Sequence, residues 1–399
     1  MVKIPIWPKF KGMKDVDLEL SRVKKLLNLA QNPEKKLSNV IHVAGTNGKG
    51  STSAFLRSFL LAAGYSVNLY SSPHLLNFNE RINLNGIDIS DEELHKLSLK
   101  YQKISTEHNL SITFFEGTTV MALDAFARFK ANYNIIEVGL GGRLDATNIF
   151  EQKLAQIITP ISHDHQEFLG DNIIDIAHEK AAIIKTNSKL FIGKQVKSVK
   201  DLLVKIAVEK KCEINFYQDY QEALPTNLGL DGEHQKENFK LAATVFSNLT
   251  KQKIKQDYKN FLSWPARLQN ITKNIKEKYS NFNQQAFLDG GHNIDAAKAL
   301  KSFIKEKNIS HIIIAMVLRK DIKNFLTILQ ETSAKIYLTE ITHNDESIRV
   351  NNLDEDLVSV ETYKSYHLAF NKILADKNYH NILFAGSLFF AAEILQDLS

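Results

Sequence analysis

A chain carrying NVIHVAGTNGKGST at Asn39–Thr52 has little choice of local architecture. Asn39 to Ala44 reads as a short apolar strand and Gly45 to Gly50 as a tight glycine-rich turn; Ser51 opens an amphipathic helix running to Gly64. That order aims backbone N–H groups and the positive end of a helix at an anion, with Lys49 as a point charge, which is the make-up of a nucleotide phosphate loop. The common P-loop pattern has glycine where Val43 stands and a hydroxyl residue directly after the lysine, whereas the order here is Lys49-Gly50-Ser51. A plain glycine turn would account for Gly45 and Gly48, but not for a lysine and a hydroxyl beside the helix start.

The 399 residues are long for one core, and two domains are expected. The net charge of +5 is a weak basic excess that could help draw in an anionic substrate, and no basic run interleaved with aromatics points to nucleic acid. Cys212 is the single cysteine, so no intrachain disulfide can form and a reducing compartment fits. The start, MVKIPIWPKFKGMKD, lacks the apolar core of a signal peptide, and no uncharged run approaches a membrane span. A cytoplasmic protein without membrane partners is expected.

Apolar spacing from Lys14 to Leu29 predicts a helix ahead of the first strand. Val67 to Tyr70 is a strand ending at Ser71-Ser72-Pro73-His74, either a Ser-Pro turn or hydroxyls placed where open α/β sheets bind ligands. Asn79-Glu80-Arg81-Ile82 lies in a loop-rich stretch, Ser90 with Glu93 forms a capping box, and Phe114 to Ala131 reads as a helix. Glu137 ends the buried strand Ile135–Val138 ahead of GLGGRLDATN; it either caps that loop or serves a metal or phosphate site. Ala155 to Ile161 delivers His163-Asp164-His165. In the helix expected from Asp171 to Lys185, Lys180 falls on the stripe of Ile173, Ile176, Ala177 and Ile184. Such a lysine snorkels, pairs with an acid, or gives up its charge. A helix over Gly232–Asn248 carries Asn238, and the polar stretch Lys273 to Gln285 reads as a linker or connecting hairpin. Beyond it, Ala286-Phe287-Leu288 leads to Asp289-Gly290-Gly291-His292-Asn293, and strands near 311–317, 335–339 and 381–385 alternate with helices.

The ordered set Gly45–Ser51, Ser71–Leu75, Asn79–Ile82, Glu137–Asn148, Asp164-His165 with Leu169-Gly170, Glu179–Lys185, Trp264–Arg267 and Asp289–Asn293 resembles the folylpolyglutamate synthase and dihydrofolate synthase family, within the ADP-forming amide ligases that include the Mur ligases. The resemblance implies an α/β fold: a P-loop-type ATPase domain with a mostly parallel sheet over residues 1–270, binding ATP and pterin, and a smaller Rossmann-like domain over 284–399 serving glutamate ligation. By carry-over, Gly45, Thr46, Asn47, Gly48, Lys49, Gly50 and Ser51 would bind ATP with Asn238, Arg267, Asp289 and His292. Ser51, Ser72 and Glu137 would hold one Mg²⁺ and His165 a second, while Lys180 matches the family's carbamylated lysine. Lys49, His165 and Lys180 would be catalytic. Ala182, His163 and Gly291 depart from the family pattern without removing a group the chemistry needs, whereas Arg319 stands first in a stretch where the family has Asp-Lys-Asp, so no role is carried over to that position.

A loop that cradles the β- and γ-phosphates implies phosphoryl transfer to a carboxylate, giving an acyl phosphate that an amine then displaces. The expected substrates are dihydropteroate, tetrahydrofolate and L-glutamate, with ATP and Mg²⁺, and the expected state is a monomer. A Mur-type ligase acting on a cell-wall precursor is the near alternative, and a non-catalytic nucleotide-binding protein the distant one.

Overall fold

The computed structural model describes residues 7–9, 19–342, 344–350, 360–376 and 379–399. Contacts gather them into two units: residues up to Leu228 with Lys236–Ser263, and Gly229–Gln235 with Trp264–Ser399.

The first unit is an eight-stranded sheet ordered β4-β3-β2-β5-β1-β6-β7-β8. Its strands are β1 (Val40–Ala44), β2 (Val67–Tyr70), β3 (Ile82–Leu84), β4 (Ile87–Asp88), β5 (Tyr133–Glu137), β6 (Ala155–Ile158), β7 (Lys189–Ile192) and β8 (Glu213–Phe216). Six run parallel, and β3 and β4 form an antiparallel edge hairpin. Every residue of β1, β2, β5 and β6 is buried, as befits parallel strands covered on both faces. The covering helices are α1 (Ser21–Leu29), α2 (Lys49–Ala62), α3 (Asp91–Glu107), α4 (Phe114–Arg128), α5 (Gln166–Leu169), α6 (Ile173–Ala181), α7 (Lys197–Glu209) and α8 (Glu233–Thr250). Phe59 of α2 meets Phe239 of α8 and Tyr258 edge-on at 5.0 Å each, a fully buried cluster behind the phosphate loop. Cutting Phe59 back to alanine there would cost about 3–5 kcal/mol.

The second unit has a six-stranded sheet ordered β13-β12-β11-β14-β10-β9. Its strands are β9 (Gln269–Asn270), β10 (Ala286–Leu288), β11 (Ile309–Ile314), β12 (Lys335–Thr339), β13 (Glu361–Tyr363) and β14 (Asn381–Ala385), with helices α9 (Thr272–Lys278), α10 (Ile294–Glu306), α11 (Ile322–Gln330), α12 (Tyr366–Ala375) and α13 (Leu388–Asp397). Among the described strands of this sheet only β9 runs antiparallel.

The α/β class and both parallel-dominated sheets agree with the sequence reading, and three local expectations are corrected. Helix α2 starts at Lys49, two residues before Ser51, because Gly48 takes the left-handed N-cap (φ +82°) that lets the chain turn straight into the helix. Lys273 to Gln285 is no bare linker: α9 occupies Thr272–Lys278, and Ile275 and Phe282 bury themselves despite the polar residues around them. The stretch around Asn83 is a hairpin, its turn closed by the Asn83 amide, which donates to Asp88 and accepts from Gly86 N–H. Within the helix expected from Lys14, Ser21–Leu29 is observed, and residues 14–18 lie outside the described residues.

Candidate active site

In parallel sheets the carboxyl ends of neighbouring strands share one edge, and ligands bind where the strand order reverses. With β2, β5, β1 and β6 side by side, that edge collects Ser72, Glu137, the Gly45–Gly50 loop and His165 from four segments distant in sequence.

The Gly45–Gly50 loop is held from below. Thr46 and Asn47 N–H both donate to the Pro160 carbonyl (2.9 and 3.1 Å). The Thr46 hydroxyl donates to Ser162 O (3.0 Å) and accepts from Ser162 N–H (3.1 Å), and the Asn47 amide donates to the Ser162 hydroxyl (3.0 Å). Gly45, at φ +144°, lies so close to the next segment that a Cβ would fall 1.9 Å from Thr159 Oγ1. A Cβ on Gly48 would meet Asn238 Oδ1 at 2.4 Å, which places Asn238 against the loop. Thr46 and Asn47 spend their N–H groups on Pro160 while Thr52 N–H closes onto Gly48 O, so the mouth that α2 turns towards an anion is its Lys49-Gly50 start rather than Thr46 or Asn47.

Two lysine amines converge on this loop. Lys49 Nζ donates to Gly45 O and Thr46 O, both at 3.2 Å, and Lys180 Nζ donates to the same Gly45 carbonyl at 3.0 Å. Lys180 is only 5% exposed. Burial, then the charge of Lys49, pushes its amine down to about 7, so near neutrality much of it carries a free lone pair. Helix α6 holds it there. Arg143 Nε binds Glu179 at 2.8 Å, a Cβ on Gly142 would fall 2.6 Å from Glu179 O, and past the helix Lys153 Nζ takes the Ile183 carbonyl (3.1 Å).

Glu137 is 4% exposed at the end of β5. Asp145, fully buried, folds the following loop back by accepting from Gly139 N (3.0 Å), Leu140 N and Thr147 N (both 2.9 Å). Its burial raises the carboxyl's affinity for a proton and those N–H donors oppose the rise. Ser72 is half-buried after β2, joined to Pro73 by a cis peptide. His165 N-caps α5 in the left-handed region (φ +53°), its Nε2 3.9 Å from Asp164 Oδ2.

In the second unit, Arg267, Asp289 and His292 come together by themselves. Asp289 accepts from Leu268 N (2.9 Å) and Gly291 N (2.7 Å), and Gly290 N donates to Ala266 O (3.0 Å). These bonds hold Ala266 (φ +56°) and Leu268 (φ +48°) in the left-handed region on either side of Arg267. Arg267 Nη1 donates to Ala266 O (2.9 Å), and His292 Nδ1 lies 3.1 Å from Gly290 O.

Sequence reading missed the Pro160–Ser162 brace, Asp145 as the organiser of its loop, and Lys153, which links His42 of β1 (2.6 Å) to the exit of α6. Only Asp145 gave a signal, as a carboxylate amid glycines.

A braced phosphate loop at the switch point of a parallel sheet, with two lysines converging on it, defines an α/β nucleotide-dependent enzyme. Residues 269–397 match the family model described as dihydrofolate synthetase, C-terminal domain. The chain is 30% identical over 417 positions to the dihydrofolate synthase/folylpolyglutamate synthase of Bacillus subtilis, covering 95% of this chain and 94% of that protein. It is similar in structure to E. coli FolC in complex with DHPP and ADP (TM-score 0.82, 26% identity, 97% and 94% covered). It also resembles a bifunctional folylpolyglutamate synthase/dihydrofolate synthase with Mn, AMPPNP and L-glutamate bound (TM-score 0.79, 26% identity, 96% and 95% covered). The chain belongs to the dihydrofolate synthase/folylpolyglutamate synthase family of ADP-forming ligases.

Proposed function

We propose that this protein joins L-glutamate to dihydropteroate, forming dihydrofolate, and to reduced folates, with ATP converted to ADP and phosphate. The observation that carries this reading is the meeting of the Lys49 and Lys180 amines on the Gly45 carbonyl, in a chain of this family. A carboxylate is unreactive towards an amine because its oxygen is a poor leaving group. Lys49 at the mouth of α2 would grip the ATP terminal phosphate while a carboxylate oxygen of the pterin acid attacks it. The glutamate amine then attacks the acyl carbon, and phosphate leaves with that oxygen.

Asn238, Arg267, Asp289 and His292 are assigned to ATP with Gly45–Ser51, and the second unit, in its 284–399 portion, to glutamate ligation. Ser51, Ser72 and Glu137 would hold one Mg²⁺, and His165 with a carbamylated Lys180 would serve a second. Among the described residues no three carboxylate, imidazole or thiol groups cluster for a metal. A single carboxylate with two hydroxyls fits Mg²⁺, which binds through one or two carboxylates and completes its shell with other oxygens from water and phosphate. When bound, the metal neutralises phosphate charge. Carbamylation of Lys180 needs its lone pair to attack CO₂, releasing one proton, and its lowered proton affinity favours this. None of the helices among the described residues is long and apolar enough to cross a membrane. A cytoplasmic monomer working on small molecules completes the proposal.

Purified protein with MgATP and glutamate should release phosphate on adding dihydropteroate or tetrahydrofolate. Release with neither, or only with UDP-linked cell-wall precursors, overturns the assignment.

A further inference from the structure

The Asn79–Ile82 motif has no task in the mechanism above, yet it plants a cation beside the site. Arg81 ends a 3-10 turn (Phe78–Arg81), and its carbonyl accepts Ser71 N–H at 3.1 Å, which fixes it at the carboxyl end of β2. The residue is 7% exposed, with its guanidinium 5.7 Å and 5.3 Å from the ring centres of Phe78 and Phe114. Its Nε donates to His74 Nδ1 at 2.7 Å. His74, pushed down to about 3 by burial and by Arg81 itself, is neutral and accepts that bond without cancelling the charge. The neighbouring Glu80 is engaged elsewhere, accepting from Leu75, Leu76 and Asn77 N–H (2.6, 2.9 and 2.7 Å).

Among the described residues, then, no carboxylate forms an ion pair with Arg81, and its terminal nitrogens make no hydrogen bond. Glu80 and Glu137 act on its charge only through space; a buried cation with no anion bonded to it is costly, and a planar fork without a bonded acceptor suits a carboxylate. Its position narrows the choice. Between β2, which delivers Arg81, and β1, which delivers the phosphate loop, lies β5 with Glu137 at its end. Two strand spacings, about 10 Å, separate the two. Arg81 thus stands across Glu137 from the γ-phosphate grip, on the side where the phosphoryl acceptor must approach.

We propose that Arg81 binds the reacting carboxylate of the acid substrate and holds it towards the phosphate loop. This rests on the ligase reading above. The test compares binding and turnover of dihydropteroate with binding of its carboxamide in wild type, Arg81→Met and Arg81→Lys, with ATP affinity measured alongside. The wild type should prefer the carboxylate by roughly tenfold or more. Arg81→Met should lose that preference and raise the dihydropteroate KM by a similar factor, with ATP affinity kept within about threefold. Arg81→Lys should keep only part of the preference, because an ammonium lacks the fork. The proposal is overturned by a Met variant that still discriminates, by a KM rise confined to glutamate or, should the Met variant not fold, by a Lys variant with undiminished preference. A wild type that turns over neither pterin acid removes the ligase reading itself and Arg81's role with it. A wild type that turns over the acid yet shows no preference for it over the carboxamide removes only the role of Arg81.

Discussion

Two buried lysines stand at opposite ends of the same sheet, and they differ in what their amines touch. Lys153, 7% exposed near the amino end of β6, has three acceptors: His42 Nδ1 (2.6 Å), Asn148 Oδ1 (3.1 Å) and Ile183 O (3.1 Å). Lys180, 5% exposed at the carboxyl edge, has the Gly45 carbonyl and shares it with the cation Lys49. Burial lowers the proton affinity of both. A lysine whose bonding capacity is filled by protein is a structural tie. One placed beside another cation with a single shared acceptor is set up to react or to meet an anion. Degree of burial does not separate the two roles; the number of acceptors does.

The largest effect that would sharpen this contrast is expected at Lys180. Lys180→Ala should lower turnover by on the order of 10³-fold without rescue by bicarbonate, while the melting temperature stays near the wild-type value. A nearly active variant would break the comparison. Next comes Lys153→Met, which leaves His42, Asn148 and the Ile183 carbonyl without their donor. It should lose about 2–4 kcal/mol of stability by denaturant titration, with turnover close to wild type below its melting range. Gly45→Ala sets the scale for the loop itself: a Cβ there collides with Thr159, and the backbone is in a region alanine avoids. A loss of about 1–3 kcal/mol of stability together with weakened ATP binding is expected by titration and calorimetry. The smallest effect is on pH dependence. Below about 7 the Lys180 amine takes up a proton and cannot add CO₂; above it the neutral fraction grows. At fixed dissolved CO₂, activity of protein equilibrated at each pH should therefore fall as pH drops through about 7, and a flat profile from 6 to 8 would contradict the carbamate.

Much of this was legible in the sequence because it is local. Glycines, a lysine and a hydroxyl announce the tight strand-to-helix turn between β1 and α2, and four-residue spacing from Ile176 and to Ile184 already turned Lys180 inward. The alternation of strands and helices gave both sheets. What stayed hidden depends on chain segments far apart. That Arg81 meets two rings and hydrogen-bonds a neutral histidine rather than an acid follows from how β2, β3 and α4 pack, and no spacing rule carries that. The Pro160–Ser162 brace joins positions more than a hundred residues apart, and the burial of Ile275 and Phe282 is concealed by the polar residues around them. The start of α2 at Lys49 turned on a single left-handed glycine, a conformation that sequence permits without requiring.

The central claim is that a carboxylate oxygen of the pterin acid takes the terminal phosphoryl group of ATP. Dihydropteroate labelled with ¹⁸O in its carboxyl group, turned over with ATP and glutamate, tests it directly by mass spectrometry of the released phosphate. ADP and phosphate carrying one ¹⁸O atom are expected; unlabelled phosphate, or AMP with labelled carboxyl oxygen in that product, would refute the phosphoryl transfer.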